Sequence, residues 1–176
     1  MDSLLIWLQN LPLALWVAES DSIWGYAFLL FVHAIGMGLT AGLAFVVSLR
    51  LLGVGTAVPV SSLRPIFRLF WLGFSLDLVS GSILFITNAT GHAHVVVMYV
   101  KLGLLVLGLT ATRRIRAFVD GDSSDAAVPS GVRTSAVVCI AVWLSVIVAG
   151  RMIAYAVESA GASLALAALV HVAPVR

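Results

Sequence analysis

The sequence predicts an all-α integral membrane protein: a four-helix bundle with an N-terminal interfacial helix and a short C-terminal apolar helix. Of its 176 residues, 61% are hydrophobic and only 10% are charged, and the mean hydropathy is +1.12. Soluble domains carry about 25% charged residues, so a chain this apolar has too little polar surface to cover itself in water. Several apolar runs exceed the roughly 18 residues needed to cross a bilayer. The length allows one membrane domain over residues 1–176 and no sizeable soluble domain.

The first element is an amphipathic segment over residues 3–18, which we expect at the membrane interface. Trp7 and Trp16 would anchor it at the level of the lipid headgroups. The chain starts Met1-Asp2-Ser3, without the basic residues that open a secretory signal peptide. We therefore expect this segment to remain part of the folded protein.

Interfacial aromatic residues, arginines and a polar loop bound the four predicted spans. The spans cover residues 23–49, 66–87, 95–112 and 134–157. The connection between the third and fourth is rich in Gly, Ser, Asp and Pro, which is typical of a solvated loop. The apolar stretch of the tail, residues 160–176, is short for a span. It would form an interfacial helix, a contact for another subunit, or a fifth, tilted crossing.

The arginines determine the predicted orientation. With four crossings, seven of them fall on one side of the membrane: Arg50, Arg64, Arg68, Arg113, Arg114, Arg116 and Arg133. The positive-inside rule makes this side cytoplasmic. We therefore expect a multi-pass protein of the bacterial inner membrane with both termini in the periplasm.

Four ionisable side chains lie inside the spans, in the outer half of the membrane or at its middle: His33, Asp77, Lys101 and Arg151. A charge near the bilayer centre costs about 2.5–3.5 kcal/mol on insertion scales, so such groups usually face the bundle interior. We expect a buried charge network of Asp77, Lys101, Arg151 and Tyr155, in which Asp77 pairs with Arg151 or Lys101. Alternatively, Lys101 and Arg151 would extend their charged ends to the outer interface.

His33 is the candidate cofactor ligand, because glycines follow it along the first span. A flat macrocycle needs an imidazole on one side and small residues that leave room, which fits haem b. Met37, four residues on, is a candidate second ligand, and Lys101 and Arg151 are placed where haem propionates would emerge. The alternative is a core histidine that bonds a carbonyl or Asp77.

Two stripes of small residues predict close contacts between membrane helices. The stripe in the second span includes Asp77, so its carboxylate should lie on a face that packs against another helix and not toward lipid. Their members are Ala34, Gly38 and Gly42 in the first span and Gly73, Asp77 and Gly81 in the second. Cys139, the single cysteine, lies in an apolar run and faces lipid or the core.

His92 and His94 form a weaker candidate metal site at the outer boundary of the membrane. A pair of histidines two residues apart in a loop or strand can reach one metal ion. They are also close enough in depth to serve opposite His33, provided that the loop 88–94 dips into the bundle. The alternative is a solvated loop.

Taken together, these residues resemble an uncharacterised family of small bacterial inner-membrane proteins, a domain of unknown function that is distantly similar to the membrane domain of copper-resistance D proteins. The best-matching segment is HAIGMGLTAGLAFVVSLRLLG, residues 33–53. The resemblance implies a four-helix membrane bundle with His33, Arg50, Lys101 and Arg151 at shared positions, and no established activity. The family often has Asp where this chain has Ser48, so the resemblance does not carry an Asp–Arg pair over to Arg50.

Three functions fit this sequence. The first is a haem b-binding protein that transfers electrons between quinone and a periplasmic partner, or that anchors an oxidoreductase. The second is a non-catalytic accessory subunit that contacts other membrane subunits or a second copy of itself through its small-residue stripes. The third is transport of a proton, metal ion or small solute, with Asp77 and His33 as relay or ligand. We expect no catalysis by the chain alone and no nucleic-acid partner.

Overall fold

Four long helices form the body of the protein, and three short helices flank them at one end. The computed structural model describes residues 2–121 and 128–172, with residues 160–172 described by their backbone alone. Within these ranges the helices are α1 (Asp2–Gln9), α2 (Pro12–Glu19), α3 (Tyr26–Leu51), α4 (Ile66–Thr87), α5 (Ala89–Ala93), α6 (Val96–Asp120) and α7 (Ser130–Val172). A 3-10 turn, Val60–Leu63, precedes α4, and the described residues contain no strand. The predicted all-α class is confirmed.

The four long helices are the predicted membrane spans. By length and composition, four helical segments can cross a membrane: Tyr26–Leu51, Val60–Thr87, Val96–Asp120 and Ser130–Ser159. The chain is therefore a multi-pass membrane protein. Helix α6 continues past the predicted end at residue 112 to Asp120, because arginine is a good helix former and carries the helix beyond its apolar part.

The N-terminal segment forms two helices where the sequence predicts one amphipathic element. Pro12 is the first residue of α2. Proline suits this position because the N–H groups of the first helical turn have no partner within the helix, so the missing N–H costs no hydrogen bond. Both helices pack against the end of α4, and α1 also contacts α5. The side chain of Gln9 accepts a hydrogen bond from the backbone N–H of Thr90 at 3.2 Å. Their location at a membrane interface remains a prediction.

The C-terminal tail is helical but does not form the separate short helix that the sequence predicts. Helix α7 runs without a break from Ser130 to Val172, because no proline interrupts the chain before Pro174. Residues 173–176 of the tail lie outside the described residues. So do residues 122–127 of the loop predicted between the third and fourth spans.

Helix α3 holds the bundle together by packing along both α4 and α7, and α7 in turn packs along α6. A Cβ on Gly36 would lie 2.6 Å from the backbone nitrogen of Asp77, so α3 and α4 touch at backbone distance. Gly73 also lies in this contact, which confirms the predicted stripe of α4. The predicted stripe of α3 is wrong as an internal contact: a Cβ on Gly38 or Gly42 would have no described atom within 4 Å.

The apolar core lies in the half of the bundle nearer the arginines. Trp143 is its largest side chain, with Phe70 edge-on at a centroid distance of 5.8 Å. Trp143 Nε1 donates to Thr112 Oγ1 at 3.3 Å, which satisfies the indole N–H. Cys139 is fully buried here and faces the core, one of its two predicted settings. The opposite half of the bundle contains His33, Asp77 and Lys101, with two cavities beside them.

Candidate functional site

The His33 imidazole on α3 is held in place by α4. Its Nδ1 lies 3.1 Å from the backbone carbonyl oxygen of Asp77 and 3.2 Å from Ser80 Oγ. A carbonyl oxygen can only accept, so Nδ1 carries the proton that makes this bond. In the neutral ring, Nε2 then has no proton and keeps its lone pair.

The Asp77 carboxylate meets the same ring nitrogen from a second direction. Oδ1 lies 3.1 Å from His33 Nδ1, and the Asp77 side chain is only 8% exposed. This contact is close enough for an ion pair but does not have hydrogen-bond geometry, and Oδ1 has no hydrogen-bond partner among the described residues. The sequence-based alternative in which His33 bonds a carbonyl or Asp77 is therefore present in the structure. Nε2 of the same ring makes no hydrogen bond with the described residues.

Two adjoining cavities open beside this pair. The first, of about 380 Å³, lies against α4 and α6 and is bordered by His33, Asp77 and Lys101. The second, of about 460 Å³, extends toward α5 and the outer end of α7. Ligand sites in proteins fall roughly between 300 and 1,000 Å³. The two cavities have five lining residues in common: His33, Gly81, Phe85, Met98 and Lys101.

Gly81 provides the space that the imidazole occupies. A Cβ at this position would come within 2.9 Å of His33 Cε1 and 3.3 Å of Nδ1. Any larger residue would therefore displace the ring or α4. This glycine of the predicted α4 stripe thus serves the site as well as helix packing.

Lys101 crosses the upper part of the bundle toward α7. Its Nζ would lie 3.5 Å from a Cβ on Gly150, where the Met37 methyl group also comes within 3.8 Å. The structure thus brings Met37 close to Lys101, but Met37 lines neither cavity. Asp77 and Lys101 border one cavity, but the expected ion pair between them is not formed, and the Asp77 carboxylate contacts His33 instead.

Arg151 and Tyr155 lie away from this site and do not join the expected buried charge network, while the exposed Arg151 side chain fits the alternative in which its charged end extends outward. Both side chains are exposed, and the Arg151 guanidinium carbon stacks 5.5 Å from the centre of the Tyr155 ring. Neither residue lines either cavity, and Arg151 makes no ion pair with Asp77. The physical reason is helical rotation: Gly150 faces Lys101 and Met37, which turns its neighbour Arg151 outward.

The two histidines of the outer boundary have different surroundings. His92 lines the second cavity together with His33, stacks near Phe85 and has a buried Nδ1 without a hydrogen-bond partner among the described residues. His94 is exposed, and its Nδ1 bonds the Thr90 carbonyl at 2.6 Å. The segment does dip toward the bundle, as helix α5. The described residues contain no group of three His, Cys, Asp or Glu side chains suited to a metal ion, and the two-histidine metal site remains a prediction.

Sequence reasoning missed two features of the site. Glu158 lines the second cavity, although nothing in the sequence connects it with His33 or Lys101. Met98 borders both cavities, although nothing distinguishes it from other apolar residues of its helix. Only the helical spacing from Lys101, three residues on, could have indicated that Met98 shares its face.

No family model, curated protein or solved structure matches this chain. The resemblance stated from the sequence therefore remains a prediction. The chemistry of the site has to be argued from its own residues. They offer a fixed imidazole, a second imidazole, a carboxylate and an ammonium group around an otherwise apolar space.

Proposed function

We propose that the paired cavities bind a cofactor of the haem b type, with His33 Nε2 as an axial ligand. The observation that carries this proposal is the engagement of His33 Nδ1 by α4, which leaves Nε2 as the coordinating atom of a ring that lines both cavities. Metal-ligating histidines almost always donate their other ring N–H to a carbonyl or a carboxylate. His33 has both kinds of oxygen at its Nδ1.

The other residues around the cavities support a flat, largely apolar cofactor with carboxylate substituents. Phe85 and Met98 provide apolar walls, and the Lys101 ammonium group is suited to a propionate. His92 supports a second axial bond better than the expected Met37, because it lines the same cavity as His33 and its buried Nδ1 has no partner within the described chain. When bound, such a cofactor supplies one-electron redox chemistry.

In this proposal the chain serves electron transfer or anchors an oxidoreductase in the bacterial inner membrane. The site lies in the half of the bundle opposite the arginine-rich end, which the positive-inside rule makes the periplasmic half. Electrons would then pass between a membrane quinone and a periplasmic partner. The outward-facing small residues Ala34, Gly38 and Gly42 suit a contact with another subunit or a second copy.

The test is an absorption spectrum with haem quantification for protein purified after haem-replete expression. Wild-type protein should show a Soret band and close to one haem per chain, and His33→Ala should lose most of it. His94→Ala is the matched control, because His94 is exposed and outside both cavities. A colourless wild-type protein, or equal pigment in the two variants, would refute the proposal.

A second candidate function is proton transfer, favoured by the buried Asp77–His33 contact. The carboxylate oxygen and the ring nitrogen lie 3.1 Å apart beside the first cavity, and a small rotation of either side chain would let Asp77 Oδ1 accept the Nδ1 proton. Asp77→Asn in liposomes would abolish a proton flux while leaving haem bound. Proton flux in a haem-free wild-type protein would favour this function over the first.

A further inference from the structure

A third cavity, of about 440 Å³, lies at the arginine-rich end of the bundle, far from the His33 site. It lies between the start of α4 and the end of α6, with three arginines and one aspartate around an apolar base. Its charged members are Arg64, Arg68, Arg116 and Asp120, and its base is formed by Phe67 and Trp71. Two positive charges therefore remain uncompensated around this space.

The arginines differ in how far the protein already uses them. Arg64 Nε and Nη2 donate to the carbonyls of Val119, Asp120 and Gly121, each at 3.2 Å, and so cap the end of α6. Arg116 Nε is 3.1 Å from Asp120 Oδ2, and its two terminal nitrogens have no partner among the described residues. The Arg68 guanidinium group makes no hydrogen bond or ion pair with any residue that the structure describes.

The base of the cavity presents one more donor. The indole of Trp71 lies one helical turn deeper than Arg68, beneath the Arg113 guanidinium, whose carbon is 5.7 Å from the ring centre. Its Nε1 is buried without a hydrogen-bond partner in the described part of the chain. Buried polar atoms are nearly always paired in proteins, so this N–H indicates an acceptor outside the described protein atoms.

We propose that this cavity binds a phosphate group, between the guanidinium groups of Arg68 and Arg116 and above Trp71. Guanidinium groups bind phosphate through paired, charge-assisted hydrogen bonds. The polar mouth and apolar base match a phospholipid, whose phosphate lies at the membrane surface and whose chains run inward. Basic pockets between membrane helices bind anionic headgroups in this way, and a free phosphate would use the same donors.

Native mass spectrometry of the full chain, from nanodiscs of mixed phosphatidylglycerol and phosphatidylcholine, tests the proposal. Arg68→Gln should lower retained phosphatidylglycerol by roughly tenfold relative to wild type. Arg114→Gln removes the same charge from an exposed arginine outside the cavity and should retain the lipid. A matching Arg116→Gln loss would support the two-arginine site.

Radiolabelled inorganic phosphate, applied to lipid-depleted protein, distinguishes the two sources. Binding that depends on Arg68 would assign the site to a free phosphate, and lipid retention alone would assign it to a headgroup. If Arg68→Gln and Arg114→Gln lost equal amounts of phosphatidylglycerol, general surface charge would explain the effect and the proposal would be overturned. The proposal would also be overturned if Arg68→Gln bound both phosphatidylglycerol and inorganic phosphate as well as the wild-type protein does. Arg68 is exposed, so the variant should fold, and its melting curve checks this.

Discussion

His33 Nδ1 and Asp77 Oδ1 lie 3.1 Å apart across the α3–α4 contact, at the edge of two cavities. The Asp77 carbonyl and Ser80 Oγ are equally close to the same nitrogen. Burying the Asp77 carboxylate, whose Oδ1 has no hydrogen-bond partner among the described residues, costs free energy that an apolar residue would not cost. The buried carboxylate does not stabilise the fold, and costly buried charges of this kind are typical of functional sites. We therefore infer that Asp77 serves to position the His33 imidazole.

The Gly81 position tests whether the ring needs its present orientation. Gly81→Ala places a Cβ 2.9 Å from His33 Cε1, so the imidazole has to move. We predict a loss of haem affinity of roughly tenfold, about 1.4 kcal/mol, measured by haem titration of the apoprotein. Gly103→Ala is the control, because no described atom lies within 4 Å of its Cβ. Equal affinities in the two variants would contradict the placement of the ring.

The structure supports only one of the two propionate partners that the sequence suggested. The sequence suggested Lys101 and Arg151 as propionate partners, whereas only Lys101 borders the cavities. Lys101→Met should therefore weaken haem binding by roughly tenfold, and Arg151→Met should leave it unchanged. Haem titration of both variants measures this directly. A larger effect at Arg151 than at Lys101 would restore the expected Arg151 site.

The Gly36 contact should control the stability of the bundle. Gly36→Ala forces a methyl group to within 2.6 Å of the Asp77 backbone, and such overpacking costs about 1–3 kcal/mol. We predict a lower melting temperature in detergent. Gly103→Ala, whose Cβ would have no described atom within 4 Å, should be neutral or slightly stabilising, because alanine favours helices over glycine. A lower melting temperature for Gly103→Ala than for Gly36→Ala would contradict the close contact between α3 and α4.

Orientation can be tested with membrane-impermeant maleimide. Cys139 is fully buried, so the parent protein should remain unlabelled until it is denatured. Ser62→Cys, at the arginine-rich end, should react only in inverted vesicles, and Ser20→Cys only in spheroplasts. Labelling of Ser62→Cys from the periplasmic side would reverse the proposed topology.

Hydropathy alone predicted the fold class and the four long helices, because crossing a bilayer imposes a length and a composition that few soluble helices share. Helix ends were predicted less well. Arg113, Arg114 and Arg116 end the apolar run of the third span but not helix α6. No proline precedes position 174 in the tail, so its short apolar stretch extends α7 instead of forming a new helix.

The sequence predicted only part of the site, because it does not show which face of each helix turns toward the bundle interior. The cost of burying charge singled out His33, Asp77 and Lys101, and all three border one cavity. Depth in the membrane says nothing about which way a residue faces, so Arg151 was included although its side chain is exposed. Small residues likewise did not show which face of α3 packs against another helix, because Gly36 makes the close contact that was expected of Gly38.

The claim that His33 supplies an axial ligand through Nε2 is tested most directly by chemical rescue. In His33→Gly, the removed side chain leaves space for free imidazole beside the Asp77 carbonyl and Ser80 Oγ. We predict that millimolar-range imidazole restores the Soret band of haem-titrated His33→Gly and that N-methylimidazole, which cannot donate to α4, restores it poorly. Full haem binding by His33→Gly without any added imidazole would contradict the account.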